Sequence, residues 1–225
     1  MVKTLVQPSN ALTRAKPILM TSPEKHSSAT LTFLKAWLRS PLKVGAIAPS
    51  GPRLARAVVR LVPRRSTLPV VELGAGTGAV TQALADRLPP ERLVIVERDP
   101  ELCRLLRRRY PQLTVVQGDA RQLRRHLLAL NVERVAAVVS GLPLVAIPKR
   151  VQREILDQSF AVLEPGGPFI QFTYSLFSPL PRREFGLSGR PVARVLQNVP
   201  PASIWVYRRP RHASDRNAER LKQAG

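Results

Sequence analysis

The chain has 225 residues, 44% of them apolar, and carries 36 Lys and Arg against 15 Asp and Glu, a formal net charge of +21. That length and composition suit one sizeable domain with a buried core and exclude a chain that is disordered throughout. The positive excess favours a polyanionic partner, nucleic acid or an anionic membrane surface, unless the Arg enrichment reflects genomic bias alone.

Residues 1–27, rich in Ser, Thr, Pro and Lys, are expected to form a flexible N-terminal segment. A helix is predicted at about 30–39, with Leu31, Leu34 and Leu38 on one face, Phe33 and Trp37 flanking it, and Lys35 and Arg39 on another. Ser40-Pro41 ends it, and Val44-Gly45-Ala46-Ile47-Ala48-Pro49-Ser50 reads as a tight apolar loop. Ser50 is placed to cap a helix through Leu54, Val58 and Leu61. Strands are then predicted at 68–73, 92–97, 113–117, 134–140 and 168–174, with helices between them centred on 79–88, 100–109, 120–130 and 149–163. The first three strands are nearly continuous in apolar residues, as in a parallel sheet covered on both faces. The Pro- and Gly-punctuated stretch 176–190 reads as a loop. Two further strands at 192–199 and 202–208 suit an antiparallel hairpin. A single domain over 28–208 and a basic flexible tail over 209–225 complete the chain.

The chemistry is concentrated in Val70-Val71-Glu72-Leu73-Gly74-Ala75-Gly76-Thr77-Gly78, an apolar strand that breaks into a glycine loop and enters a helix. Such glycines permit positive φ and close backbone approach. About twenty residues later, Leu93-Val94-Ile95-Val96-Glu97 ends a second strand in a carboxylate, the spacing of a βαβ unit whose acid grips a ribose diol. Val115-Val116-Gln117-Gly118-Asp119-Ala120 ends a third strand in an acid placed to accept from an adenine amine. Glu72, Glu97 and Asp119 thus stand at the carboxyl ends of three successive strands, the ligand edge of an open α/β sheet. The glycines at 74, 76 and 78 depart from the dinucleotide spacing, which has two residues before its third glycine. Each residue also has a plain reading: a tight turn for the glycines, a solvated strand end for Glu97, and a helix N-cap for Asp119.

Other chemistries lack support. Cys103 is the only cysteine and His26, His126 and His212 are far apart, so no disulfide, zinc site or histidine-based triad is expected, and no metal. Cys103 reads as a small buried hydrophobe. No apolar run reaches the ~18–20 residues needed to span a bilayer, and the N-terminus lacks a compact signal region. A cytoplasmic protein with at most peripheral membrane contact is expected.

The segment 71–78, with Glu97 and Gly118-Asp119-Ala120, resembles the cofactor motifs of class I S-adenosylmethionine-dependent methyltransferases. The resemblance covers about residues 45–208. It implies a three-layer Rossmann-like α/β fold with a seven-stranded sheet, mostly parallel with an antiparallel last strand, plus N-terminal helices. It implies S-adenosylmethionine held by Glu72, Gly74, Gly76, Gly78, Glu97, Asp119 and Ala120. Within that class, methyltransferases of exocyclic base amines carry Asn/Asp/Ser-Pro-Pro and then a base-stacking aromatic after the fourth strand. Here the segment is Ser140-Gly141-Leu142-Pro143-Leu144, with Leu144 in the aromatic's place. That substitution fits an aliphatic substrate environment or a hydrophobic wall with no substrate role.

Together with 33–38, 44–50 and Gly166-Gly167-Pro168-Phe169-Ile170-Gln171-Phe172-Thr173-Tyr174, this segment is similar to bacterial phospholipid N-methyltransferases. Their likeness extends to ribosomal-RNA adenine dimethylases, which carry a further C-terminal helical domain for which this chain leaves too little length. The resemblance implies successive N-methylation of phosphatidylethanolamine toward phosphatidylcholine at the inner face of the cytoplasmic membrane. Ornithine lipid is another headgroup methylated by related enzymes, and RNA the competing substrate. An anionic membrane would be met by the 30–39 helix, either as an interfacial helix or as one packing its Leu face on the sheet. Lys35, Trp37, Arg39 and Lys43 are its contact candidates, with Leu142 and Pro143 on the substrate side. Tyr174 is the catalytic candidate, orienting an amine through its hydroxyl or ring, or else packing at the core edge. Ser140 either accepts a hydrogen bond from the amine or simply ends its strand.

Overall fold

The computed structural model describes residues 51–174, 178–195 and 201–210. The predicted 30–39 helix, with Lys35, Trp37, Arg39 and Lys43, and Ser50 lie outside them. Five α-helices and seven strands are described: α1 (Pro52–Val59), β1 (Val70–Leu73), α2 (Ala79–Ala85), β2 (Leu93–Glu97), α3 (Pro100–Arg109), β3 (Thr114–Gln117), α4 (Leu123–Leu128), β4 (Ala137–Ser140), α5 (Lys149–Val162), β5 (Phe169–Thr173), β6 (Ser188–Val195) and β7 (Ala202–Arg208). Short 3-10 turns at Ala120–Gln122 and Leu144–Ala146 follow β3 and β4.

The strands form one sheet in the order β3-β2-β1-β4-β5-β7-β6. The first five are parallel, and β7 runs antiparallel to both β5 and β6. Alternation along each strand divides the core into two layers. Val70, Ile95, Val139 and Ile170 pack with Leu54, Leu84, Leu106 and Tyr110 from α1, α2 and the α3 end. Val71, Val94, Val138 and Phe169 pack with Leu123, Leu127, Ile155 and Leu156 from α4 and α5. Apolar runs rather than alternating patterns follow, because both faces of β1, β2 and β4 are covered. The two edge strands, β3 and β6, are the more exposed ones. From β1 the chain builds outward to β3, then returns to lay β4 on the other side of β1. That reversal opens a crevice at the carboxyl ends of β1 and β4, the switch point at which such sheets bind ligands.

Two details differ from the sequence reading. The N-cap of α1 is Gly51, with no side-chain cap and Pro52 at the first helical position. β6 begins at Ser188, inside the stretch expected to be loop. Gly189 and Pro191 resemble turn punctuation, but an edge strand tolerates a proline, and a bulge between Pro191 and Ala193 absorbs the irregularity. Gly189 is needed for space: a Cβ there would run into the Tyr207 ring.

Phe169 is fully buried at the β5–β7 junction, with ring centroids 6.1 Å from Phe160 and 6.4 Å from Tyr207. Truncating it leaves a cavity among rings that cannot collapse. Phe169→Ala is expected to lower stability by about 3–5 kcal/mol, read as a reduced urea midpoint at unchanged slope.

Candidate functional site

A cleft of about 550 Å3 opens at the carboxyl ends of β1 to β4, a volume typical of small-molecule sites. Gly74, Glu97, Gly118 and Asp119 line its polar side, and Leu142, Pro143, Ile147 and Val151 its apolar wall. The glycine loop is shaped by backbone demands. Gly74, Gly76 and Gly78 all have positive φ, at 69°, 59° and 88°. A Cβ on Gly74 would meet Leu142 Cδ2 at 2.7 Å, and one on Gly78 would meet Tyr110 Cε2 at 3.0 Å. Glycine is therefore required both for conformation and for space. Tyr110 also donates its hydroxyl to the Gly78 carbonyl at 3.1 Å, tying the α3 end to the loop.

Glu97 is buried and connects two strands. Its Oε2 accepts from the Gly76 N–H at 3.1 Å, while Oε1 accepts from the N–H groups of Arg98 and Asp99 at 2.8 and 3.0 Å. A carboxylate offers about four acceptor positions, so Glu97 retains capacity for a further donor. Asp119 caps the 3-10 turn through the Arg121 N–H at 2.8 Å, the cap role that its sequence position allowed. Its Oδ2 accepts from Arg121 Nε and Nη2 at 3.0 and 2.8 Å. The Arg121 guanidinium holds the Asp119 carboxyl below the usual carboxylate range. Ala120 lines the cleft beside it.

Glu72 does not line the cleft but lies beneath the loop, 1% exposed, accepting from Thr81 Oγ1 at 2.7 Å. Burial pushes its pKa up to about 7; the Thr81 hydrogen bond opposes the rise and the Glu97 charge adds to it. Ser140 is fully buried and outside the cleft lining; its Oγ accepts from the Leu142 N–H at 3.4 Å, so the geometry matches the strand-end reading. Leu144 is 1% exposed and packs in the core with Ile155 and Leu156, a hydrophobic role away from the cleft surface. Tyr174 follows β5 directly and is half-buried, packed against the α1–α3 layer.

Several residues of the cleft lining were not singled out from sequence. Arg98 and Arg121 line the cleft mouth, and Ile147 and Val151 its wall. Arg121 had a local signal, its place two residues after Asp119. Ile147 and Val151 had none, because only the packing of the 144–151 turn brings them over the β1–β4 crevice. Cys103 is buried, as expected for a small hydrophobe, and its thiol donates to the Glu97 carbonyl at 3.3 Å. Among the described residues no group of three His, Cys, Asp or Glu side chains is arranged to hold a metal ion.

The methyltransferase-domain family matches residues 70–167, the span from β1 to the end of α5 and the turn before β5. An ornithine lipid N-methyltransferase of Singulisphaera acidiphila is 41% identical over 145 residues, covering 63% of this chain and 76% of that protein. A ribosomal RNA small subunit methyltransferase A of Chlorobium phaeobacteroides is 33% identical over 95 residues, 42% of this chain but 31% of that protein. The solved N-methyltransferase NodS of Bradyrhizobium japonicum, in complex with S-adenosyl-l-homocysteine, shares the fold at a TM-score of 0.56 and 18% identity, over 81% of this chain and 99% of that one. The chain belongs to the S-adenosylmethionine-dependent methyltransferases. It is an N-methyltransferase with S-adenosylmethionine as its cofactor.

Two expectations follow from this geometry. Glu72 holds a proton in the folded chain at pH values where the unfolded chain has lost it. Stability should therefore fall as pH rises from about 4.5 to about 7, by an amount on the order of 3 kcal/mol. Glu72→Gln should flatten that slope, in urea titrations repeated across pH, and be more stable relative to the parent at pH 8 than at pH 4. At Gly141 a Cβ would lie 2.7 Å from the Gly74 carbonyl oxygen and 2.8 Å from the Phe172 ring. Gly141→Ala should therefore cost about 1–3 kcal/mol and weaken S-adenosylmethionine binding at least tenfold by calorimetry, through displacement of the glycine loop.

Proposed function

We propose that this protein N-methylates the amine of a membrane-lipid headgroup. The observation that carries the reading is the 41% identity, over 76% of its length, to a protein named an ornithine lipid N-methyltransferase. Phosphatidylethanolamine, methylated toward phosphatidylcholine, and ornithine lipid are the two substrates to compare, since both present an amine beside an anionic membrane. The net charge of +21 supports peripheral attachment to such a surface, at about 1 kcal/mol for each Lys or Arg near it. Among the described residues no helix is long and apolar enough to cross a membrane. Lys35, Trp37, Arg39 and Lys43 remain the proposed surface contacts of the N-terminal segment.

The cleft fits the cofactor by its chemistry: a glycine cradle, two acids at successive strand ends and an apolar wall for a ring. Glu97 is assigned to the ribose hydroxyls and Asp119 to the adenine amine, sharing its oxygens with Arg121. The loop at Gly74, Gly76 and Gly78 is assigned to the amino-acid portion, with Glu72 supporting it from below. S-adenosylmethionine supplies an electrophilic sulfonium methyl group when bound. The chain's part is then to orient a deprotonated amine and to exclude water. Leu142 and Pro143 provide an apolar approach, and Tyr174 is the proposed substrate-side residue, through its hydroxyl or its ring face. Ser140 is assigned a supporting role, holding the Leu142 backbone instead of meeting the amine.

The competing reading is an RNA adenine N6-methyltransferase, favoured by the similarity to the Chlorobium enzyme. The absence of an aromatic at 144, a core leucine here, counts against it, because a flipped base would have no stacking platform from this segment. Incubation with methyl-labelled S-adenosylmethionine, total bacterial lipid and total RNA separates the two. Label is expected in lipid, with Glu97→Ala reducing incorporation at least a hundredfold; label confined to RNA would overturn the proposal. Tyr174→Phe is expected to lower turnover about tenfold if the hydroxyl orients the amine, whereas undiminished turnover would assign the work to the ring.

A further inference from the structure

At the end of the sheet away from the cleft, the connection after α1 and the connection between α2 and β2 meet around a second cavity. It has a volume of about 360 Å3 and is lined by Pro63 and Arg64 after α1, Arg87 and Leu88 after α2, and Arg92 just before β2. Arg92 is held in place: its Nε and Nη2 donate to the Leu68 carbonyl at 3.2 and 3.0 Å, which leaves the Nη1 hydrogens for another acceptor. Arg87 is half-buried, and burial together with the neighbouring Arg64 charge holds its pKa below the usual guanidinium value. Among the described residues no acid lines the cavity. Among the described residues, none of the three arginines makes an ion pair with Asp or Glu. Asp86, the sequence neighbour of Arg87, accepts from Gln82 instead.

Three like charges gathered around one concavity repel each other. An anion placed among them removes that repulsion and gains charge-assisted hydrogen bonds. Three guanidinium forks brought around one concavity by two connections suit a tetrahedral oxyanion, whose oxygens point in several directions, better than a planar carboxylate. We propose that this cavity binds a phosphate group, carried either by free phosphate or by the headgroup of a phospholipid. It lies at the amino ends of the strands, so it is independent of the methyl-transfer site and of the substrate assigned to that site.

The test uses the whole chain and two probes: inorganic phosphate, by calorimetry in a chloride buffer, and phosphatidylcholine vesicles with or without phosphatidic acid, by sedimentation. The variant Arg64→Gln/Arg87→Gln is compared with Arg53→Gln/Arg108→Gln, which removes the same charge from exposed positions on α1 and α3. The cavity variant is expected to lose at least tenfold in affinity while the control stays within twofold. Loss in the phosphate arm assigns a soluble ligand, and loss confined to the vesicle arm assigns a lipid headgroup. Should the double variant fail to fold, Arg64→Gln alone, at an exposed position, is expected to weaken binding about threefold. The proposal is overturned if the parent binds neither probe, if the control loses as much as the cavity variant, or if folded Arg64→Gln binds unchanged.

Discussion

One carboxylate holds the cofactor edge of this molecule together. Glu97 ends β2, yet one of its oxygens accepts from Gly76 in the loop after β1, while the other gathers the first two N–H groups beyond its own strand. A loop with three residues at positive φ has little intrinsic reason to keep one shape, and its backbone donors must be satisfied as the strands end. Glu97 supplies the acceptor, and the Val96 carbonyl supplies another by accepting from the Gly74 N–H at 2.9 Å. The turn is thereby bonded to the neighbouring strand before any ligand arrives.

The crowding at the β1–β4 crevice follows from the same arrangement. Gly141 donates to the Leu73 carbonyl, and its Cα sits so near the Gly74 oxygen that a methyl group has no room. Gln171, fully buried on β5, reaches across to donate to the Leu142 carbonyl at 2.9 Å and so fixes the segment that walls the cleft. Glu72 is carried into this crowded region by β1, and its raised pKa is the electrostatic result of placing an acid where water does not reach. Protein stability is conceded at this edge of the sheet, while the opposite edge of the core is packed with rings.

The opposite end of the sheet carries a different electrostatic character. Arg64, Arg87 and Arg92 converge there with no carboxylate among the described residues between them, although Arg64 lies more than twenty residues before the other two. The overall charge favours an anionic partner without locating a site for one. Convergence of these three follows because α1 leads into the amino end of β1 and the βαβ crossover through α2 returns the chain to the amino end of β2.

Local sequence was sufficient for the alternation of strands and helices, because runs such as Leu93–Val96 are apolar throughout and end in glycine or an acid. It was also sufficient for the glycine loop and for Glu97 and Asp119, whose spacing is a local property of the βαβ unit. It misplaced the start of β6, since Gly189 and Pro191 carry turn chemistry and only pairing with Tyr207 and Trp205 makes them strand. It left Ser140 and Leu144 open between site and core, a choice made by which face of the chain the neighbours cover. Burial, convergence of distant side chains and the competition for a carboxylate's lone pairs are long-range quantities. For that reason the cofactor class was written in the sequence, whereas the cleft's apolar wall, the Arg121 clamp on Asp119 and the three-arginine cavity came into being only with the tertiary fold.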